Sequence, residues 1–157
     1  MAKDRWGTAP SGAHTEPWFF VVVSDSETKS KIRVIVENEE RVNYEKRMGQ
    51  QWLDDLAKLN TKWSKPYIDV APYVIVVFKQ VYGLQEDGTR TVNYYHEMSS
   101  AISVGLLLAA LQYAGLVSLT STPMNAGPNL RQLLGRPVNE KAILLLPVGF
   151  PSADAID

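Results

Sequence analysis

The stretch from about Val92 to Gly115 constrains the fold more than any other part of the chain. Ile102, Leu106, Leu107, Leu108 and Leu111 fall around most of the circumference of a helix, so one neighbour cannot cover them all. Such a helix needs apolar partners on several sides, inside a domain or where two chains meet. Its most apolar part, Ala101 to Val117, is interrupted by Ser103, Gly105 and Gln112 and is short for a bilayer crossing of about 20 residues. A buried central helix is the expectation. The opening residues MAKDRW contain no apolar signal-type region,.

The 157 residues suffice for one domain,. With 45% apolar and 21% charged residues the balance is that of a soluble globular protein. Sixteen basic and 17 acidic residues leave a net charge of −1, so no overall field attracts nucleic acid or an anionic membrane. Cysteine is absent, which excludes disulfides, thiolate nucleophiles and iron–sulfur ligation and leaves redox chemistry only to a bound cofactor. The two histidines, His14 and His96, are far apart and outside any metal-binding motif,.

Residues 1–17, rich in Gly, Pro, Ser and Thr, predict an irregular loop that feeds a strand over Trp18 to Ser24,. The continuous FFVVV run predicts burial of that strand on both faces. A helix from about Glu27 to Met48 comes next, with N-caps available at Ser24, Asp25 and Ser26 and a stripe of Ile32, Ile35 and Val36; Gly49 should end or kink it,. A second helix over Gln51 to Trp63 is stopped before Pro66,. Strands are expected over 73–80, 117–120 and 141–148, with an exposed Asp87–Gly88 turn and a short helix over Asn129 to Leu134 closed by Gly135,. Strands interleaved with helices point to a mixed sheet wrapped by helices, in the α+β class ahead of α/β.

Three segments carry groups that could do chemistry. In GTAPSGAHTEPW, small residues leave backbone amides open to a flat ligand or an anion,. Glu40 and Tyr44 are four apart on one helix face, and with Lys65 they offer an amino-acid zwitterion the groups it needs: an anion for its ammonium, a cation and a hydroxyl for its carboxylate,. Thr120, Ser121 and Thr122 put three hydroxyls at a strand end before Pro123,. By residue type alone each segment has a plainer reading as well: a turn, a solvated helix face, and a strand end bonding its own backbone.

The strings GTAPSGAHTEPW, NYEKRMGQQW, KQVYG with NYYHE, and TPMNAGPNLRQLLGRP followed by LLLPVGFPS resemble, in order and spacing, the iodotyrosine deiodinases of the nitroreductase superfamily. The resemblance covers Gly7 to Ala153. It implies one nitroreductase-like α+β domain over 1–157, with a central, mostly antiparallel sheet flanked by helices. It also implies a homodimer holding FMN in two interface clefts. Pro10 and Ser11 would then lie against the flavin ring, and the Ala13 amide would face the substrate phenolate. Glu40, Tyr44 and Lys65 would bind the zwitterion on a lid. Thr122 would hydrogen-bond flavin N5, with Thr120 and Ser121 on the same flavin-contacting stretch; Ala13 and Thr122 are thus the implied catalytic positions. The implied reaction is reductive removal of iodide from mono- and diiodotyrosine, with electrons from NADPH through an electron-donating reductase and no nucleic-acid partner.

The same resemblance implies an RRSxR segment before this sequence and a further arginine after it, both on the FMN phosphate, and, in animal members, an N-terminal membrane anchor. None lies within these 157 residues, and MAKDRW differs from the helix expected there. Each charged contact to a phosphate contributes about 1.5 to 3 kcal/mol, so FMN is the implied cofactor and its weak binding or loss stays open for the chain alone. Two alternatives stay open: a general FMN nitroreductase, and a flavin-depleted scaffold of the same fold. The chain as written is expected to be soluble.

Overall fold

A computed structural model of the chain describes residues 9–153 and 155. The first eight residues of the expected N-terminal loop therefore lie outside the described residues. Four strands form one sheet in the order β1-β2-β6-β5: β1 (Trp18–Val23), β2 (Tyr73–Gln80), β6 (Glu140–Gly149) and β5 (Val117–Ser118). Every pairing among the described residues is antiparallel, whereas a mixed sheet is the expectation from the pattern alone. The two interior strands, YVIVVFKQ and EKAILLLPVG, both carry long apolar runs. Interior strands are covered above and below, and only continuous apolar runs tolerate that.

Alternation along β2 divides the core. Val74, Val76 and Phe78 face a cluster with Ile32 and Val36 of helix α1 (Ser26–Val42) and Leu130 of α5 (Gly127–Leu133). Ile75 and Val77 face a second cluster with Val104 and Leu107 of α4 (His96–Tyr113). The period of two thus sends α1 and α5 to one side of the sheet and α4 to the other. Phe78 is fully buried, and truncating it to alanine would cost about 3 to 5 kcal/mol.

Several boundaries differ from the sequence expectation, each for a local reason. The helix expected from Val92 begins at His96, because Val92 ends the hairpin strand β4 (Arg90–Val92), paired with β3 (Tyr82–Leu84), and Tyr95 takes a left-handed φ of 50°. The first long helix changes to a π-helical turn at Asn43–Arg47. Helix α2 (Gln50–Lys58) stops short of Trp63, where Asn60 turns left-handed at φ 51°. A short helix α3 (Tyr67–Val70) comes after Pro66. The Asp25 side chain caps α1 by accepting the Thr28 N–H at 2.7 Å,.

Two burial expectations change as well. Strand β1 is a sheet edge, and Phe19 and Val22 remain exposed, so its apolar run is not covered on both faces within one chain. Helix α4 buries Ser99, Ser100, Ser103, Val104 and Leu107 against the sheet, while Met98, Ile102, Leu106 and Tyr113 stay exposed. Serines on its inner face let the helix approach closely, with the Ser100 hydroxyl donating to the Pro17 carbonyl at 3.1 Å. One chain therefore covers one side of this apolar helix and leaves the other bare. No helix among the described residues is long and apolar enough to cross a membrane.

Candidate functional site

A cavity of about 1010 Å³ opens between the C-terminal end of α1, helix α2, the segment 59–67 and the chain that leaves the sheet at 119–124. Glu40, Tyr44, Lys65, Thr120, Ser121 and Thr122 all line it. The second and third of the three chemically promising segments, far apart in the chain, thus converge on one space.

Lys65 is only 5% exposed, and its ammonium has three neighbours. It donates to the Lys62 carbonyl at 2.7 Å, lies 3.4 Å from a Glu40 carboxylate oxygen, and sits 5.8 Å from the centroid of the Tyr44 ring. A buried cation and anion in loose contact neutralise one another yet leave lone pairs and protons unused. Tyr44 adds a third group: its hydroxyl is buried and has no hydrogen-bond partner among the described residues. Burial, followed by the Glu40 charge, raises its pKa above the ordinary phenol value, so it stays a neutral donor well beyond neutral pH.

Local structure aims these groups. Glu40 occupies the last turn of α1, and Tyr44 rides the π-helical turn directly after it, where the Met48 N–H reaches the Asn43 carbonyl at 2.9 Å. Single π turns recur at functional sites because the extra residue re-aims its neighbours. Asn43 is fully buried beneath, accepting from Arg47 Nη1 at 3.0 Å and directing its amide to the Met124 sulfur at 3.5 Å.

On the opposite wall Ser121 is tied to the sheet edge: its N–H and carbonyl pair with Leu145 at 3.1 and 2.8 Å. Thr120 and Thr122, on either side of the bridge, line the cavity with it. Tyr67 lies here without any sequence signal pointing to it, although it stands only two residues beyond Lys65. Burial raises its phenol pKa, while a hydrogen bond with Ser121 pulls the other way. Trp52, which the sequence shows only as part of an apolar helix face, supplies an aromatic wall.

Pro10, Ser11 and Ala13 do not line this cavity. Their loop packs at the start of α4, where the Gly12 N–H donates to the Ser99 hydroxyl at 3.1 Å and the Ser11 hydroxyl accepts the Glu16 N–H at 3.0 Å. Gly12 is required by contact: a Cβ there would lie 2.7 Å from the Tyr94 carbonyl oxygen. Ala13 itself is exposed with a left-handed φ of 48°, a conformation a non-glycine residue holds only when its surroundings impose it.

Comparison with known proteins shows the family. Residues 3–150 match the nitroreductase family. The iodotyrosine deiodinase of Nematostella vectensis is 62% identical over 149 residues, covering 95% of this chain and 56% of that protein. Iodotyrosine deiodinase 1 of Homo sapiens is 60% identical over 149 residues, covering 95% and 52%. The chain spans about half the length of the curated relatives it matches. Among solved structures, an oxidized iodotyrosine deiodinase bound to FMN and 3-iodo-L-tyrosine superposes with a TM-score of 0.82 at 31% identity, covering 94% of this chain and 74% of that one. A nitroreductase with bound FMN from Bacteroides fragilis shares the fold at a TM-score of 0.65 and 19% identity, covering 96% and 74%. From the matched span, the shared strings and this superposition, the chain belongs to the nitroreductase family and groups within it with the iodotyrosine deiodinases.

Proposed function

We propose that this chain forms the core of an FMN-dependent iodotyrosine deiodinase, which reductively converts mono- and diiodotyrosine to tyrosine and iodide. The observation that carries the reading is the buried Glu40–Lys65 pair beside the unpartnered Tyr44 hydroxyl, inside a cavity walled by Thr120, Ser121 and Thr122. An α-amino acid offers an ammonium to Glu40 and a carboxylate to Lys65 and Tyr44, satisfying all three groups.

The cavity fits the ring of a flavin. It is large enough for a tricyclic ring and an amino acid together, it has aromatic walls at Trp52 and Tyr67, and it ends in the hydroxyl-bearing stretch 120–122,. Thr122 would hydrogen-bond the flavin N5 edge, with Thr120 and Ser121 beside it. The phosphate is served less well: the cations among the described lining residues are Lys62 and Lys65, and Lys65 is engaged with Glu40. Bound FMN would supply the two electrons that, with one proton, replace a carbon–iodine bond by a carbon–hydrogen bond and release iodide. Electrons would come from NADPH through a separate reductase, as the resemblance to the iodotyrosine deiodinases implies.

This reading gives the protein's own groups binding and positioning roles. Glu40, Tyr44 and Lys65 fix the amino-acid end and exclude water around it. The Ala13 N–H would donate to the phenolate oxygen and hold negative charge in the halogenated ring. Because Pro10, Ser11 and Ala13 sit away from the cavity, at the start of α4 beside the exposed Tyr95, a complete site would take the cavity of one copy and the loop of a second. Tyr94, Tyr95, Met98 and Ile102, exposed there, would be covered in such a homodimer.

The test is to load the protein with FMN, reduce it chemically, and compare iodide release from 3-iodotyrosine with reduction of a simple nitroaromatic. Faster turnover of iodotyrosine is expected. Nitroaromatic reduction with no iodide release would instead assign a general nitroreductase.

A further inference from the structure

Lys65 must be held in place by something other than a helix or strand. It comes after a stretch, 59–64, that belongs to no regular element, yet its ammonium has to meet Glu40 on a different part of the chain. Its backbone is fixed by Glu37, one helical turn before Glu40 on α1. One carboxylate oxygen of Glu37 accepts the Lys65 N–H at 2.6 Å, the Ser64 hydroxyl at 3.1 Å and Arg33 Nε at 2.8 Å. Arg33 in turn reaches Asp69 at 2.7 Å, and the Lys29 ammonium donates to the Asp69 and Ala71 carbonyls at 3.2 and 2.7 Å. One face of α1 thus grips the chain from Ser64 to Ala71.

We infer that Glu37 is a positioning residue for substrate recognition: it clamps Ser64 and Lys65 to α1, so that Lys65 and Glu40 meet an incoming α-amino acid at a preset spacing. Glu37 does not line the cavity and touches no substrate. Its effect passes through Lys65, whose backbone it holds while Glu40 receives the side-chain tip. The inference rests on reading the Glu40–Tyr44–Lys65 group as a zwitterion site. Within that reading it adds the part that sets the distance between the two charges. Preorganisation of this kind strengthens binding because the ordering is done before the ligand arrives.

The test compares Glu37→Ala, which removes the acceptor, with Glu37→Gln, which keeps an acceptor oxygen in place. Two ligands are titrated into the FMN-supplemented full chain: 3-iodotyrosine, and 2-iodophenol, which has the halogenated ring without the zwitterion. Hydrogen exchange over 61–66 is read in the same variants without flavin or ligand. Glu37→Ala should weaken iodotyrosine binding by about tenfold or more, leave 2-iodophenol binding unchanged, and speed exchange at the Lys65 amide while β2 amides hold. Glu37→Gln should recover most of the iodotyrosine affinity. Equal weakening of both ligands, or unchanged exchange at Lys65 in Glu37→Ala, would overturn the positioning role. If the unsubstituted protein bound both ligands alike, the zwitterion reading itself would fail, and the inference with it.

Discussion

The cavity and the loop at 10–16 are both expected to bear on one ligand, yet they are built in opposite ways. The cavity assembles side chains from four separate stretches and hides their charges, with Lys65 almost wholly buried. The loop is a single short run whose contribution is its backbone, with Ala13 exposed and held in a left-handed conformation. One region is finished within a single chain, where Glu40 and Lys65 already neutralise each other. The other is anchored through Gly12 to Ser99 but does not reach that cavity. A binding surface completed by a second copy would have this asymmetry, because the half that carries buried charge must be satisfied even before assembly.

Breaking the cavity half gives the largest effect. Lys65→Ala leaves the Glu40 carboxylate without its cation, and halotyrosine affinity should fall by about 100-fold, while FMN affinity changes by less than about threefold. Calorimetric titration of both ligands measures this, and equal losses would mean that Lys65 serves the flavin as well. Mixing tests the division between copies. Lys65→Ala and Gly12→Ala proteins, each impaired alone, should regain about a quarter of full activity when unfolded and refolded together, because half of the resulting dimers carry one intact site. No recovery would place both halves in a single copy.

Gly12→Ala also sharpens the comparison by stability alone. The added methyl meets the Tyr94 carbonyl, and the overpacking should cost about 1 to 3 kcal/mol, read as a lower urea midpoint at constant slope. The smallest effect concerns acid. Burial raises the Glu37 pKa, but its bonds from Arg33, Lys65 and Ser64 outweigh that and hold it below the ordinary carboxylate value; the bonds from Arg33 and Ser30 lower Asp69 likewise. A depressed folded-state pKa gives stability that is present above the unfolded value and lost as pH falls through the folded one. Protection against hydrogen exchange at 61–71, taken relative to the intrinsic rate at each pH, should therefore fall on acidification before that of β2. Simultaneous loosening would show that the clamp is no weaker than the core.

Much of the fold is legible in the sequence because it rests on apolar period. Strand β2 matches its expected span of 73–80, and the α+β class comes from the same runs. The element ends that differ share a cause: they depend on backbone conformations that side-chain pattern does not encode, such as the left-handed turns at Asn60 and Tyr95 and the π turn at Asn43. Strand β1 is less buried than its letters suggest because an edge strand and an interior strand can carry the same apolar run. At the site, Glu40, Tyr44 and Lys65 are expected by type and resemblance, and the structure brings them together. Tyr67 and Glu37 escape sequence reasoning. A tyrosine on a short helix and a glutamate on a charged helix carry no signal until the segment they touch has been placed.

The π turn at Asn43–Arg47 has a consequence for how this region can vary. It holds one residue more than an α-helical path would need, so it acts as a phase insertion, turning the downstream chain by about 100° relative to a continuous α-helix. Deleting one residue between Glu45 and Arg47 would let α1 run on undisturbed. Met48, Trp52 and Leu56, which wall the cavity downstream of the turn, would then be swung away from Glu40 and Tyr44, although no side chain among them had been altered. At this place in the molecule the number of residues should be constrained more tightly than their kind, whereas an insertion at the exposed Asp87–Gly88 turn should cost little,.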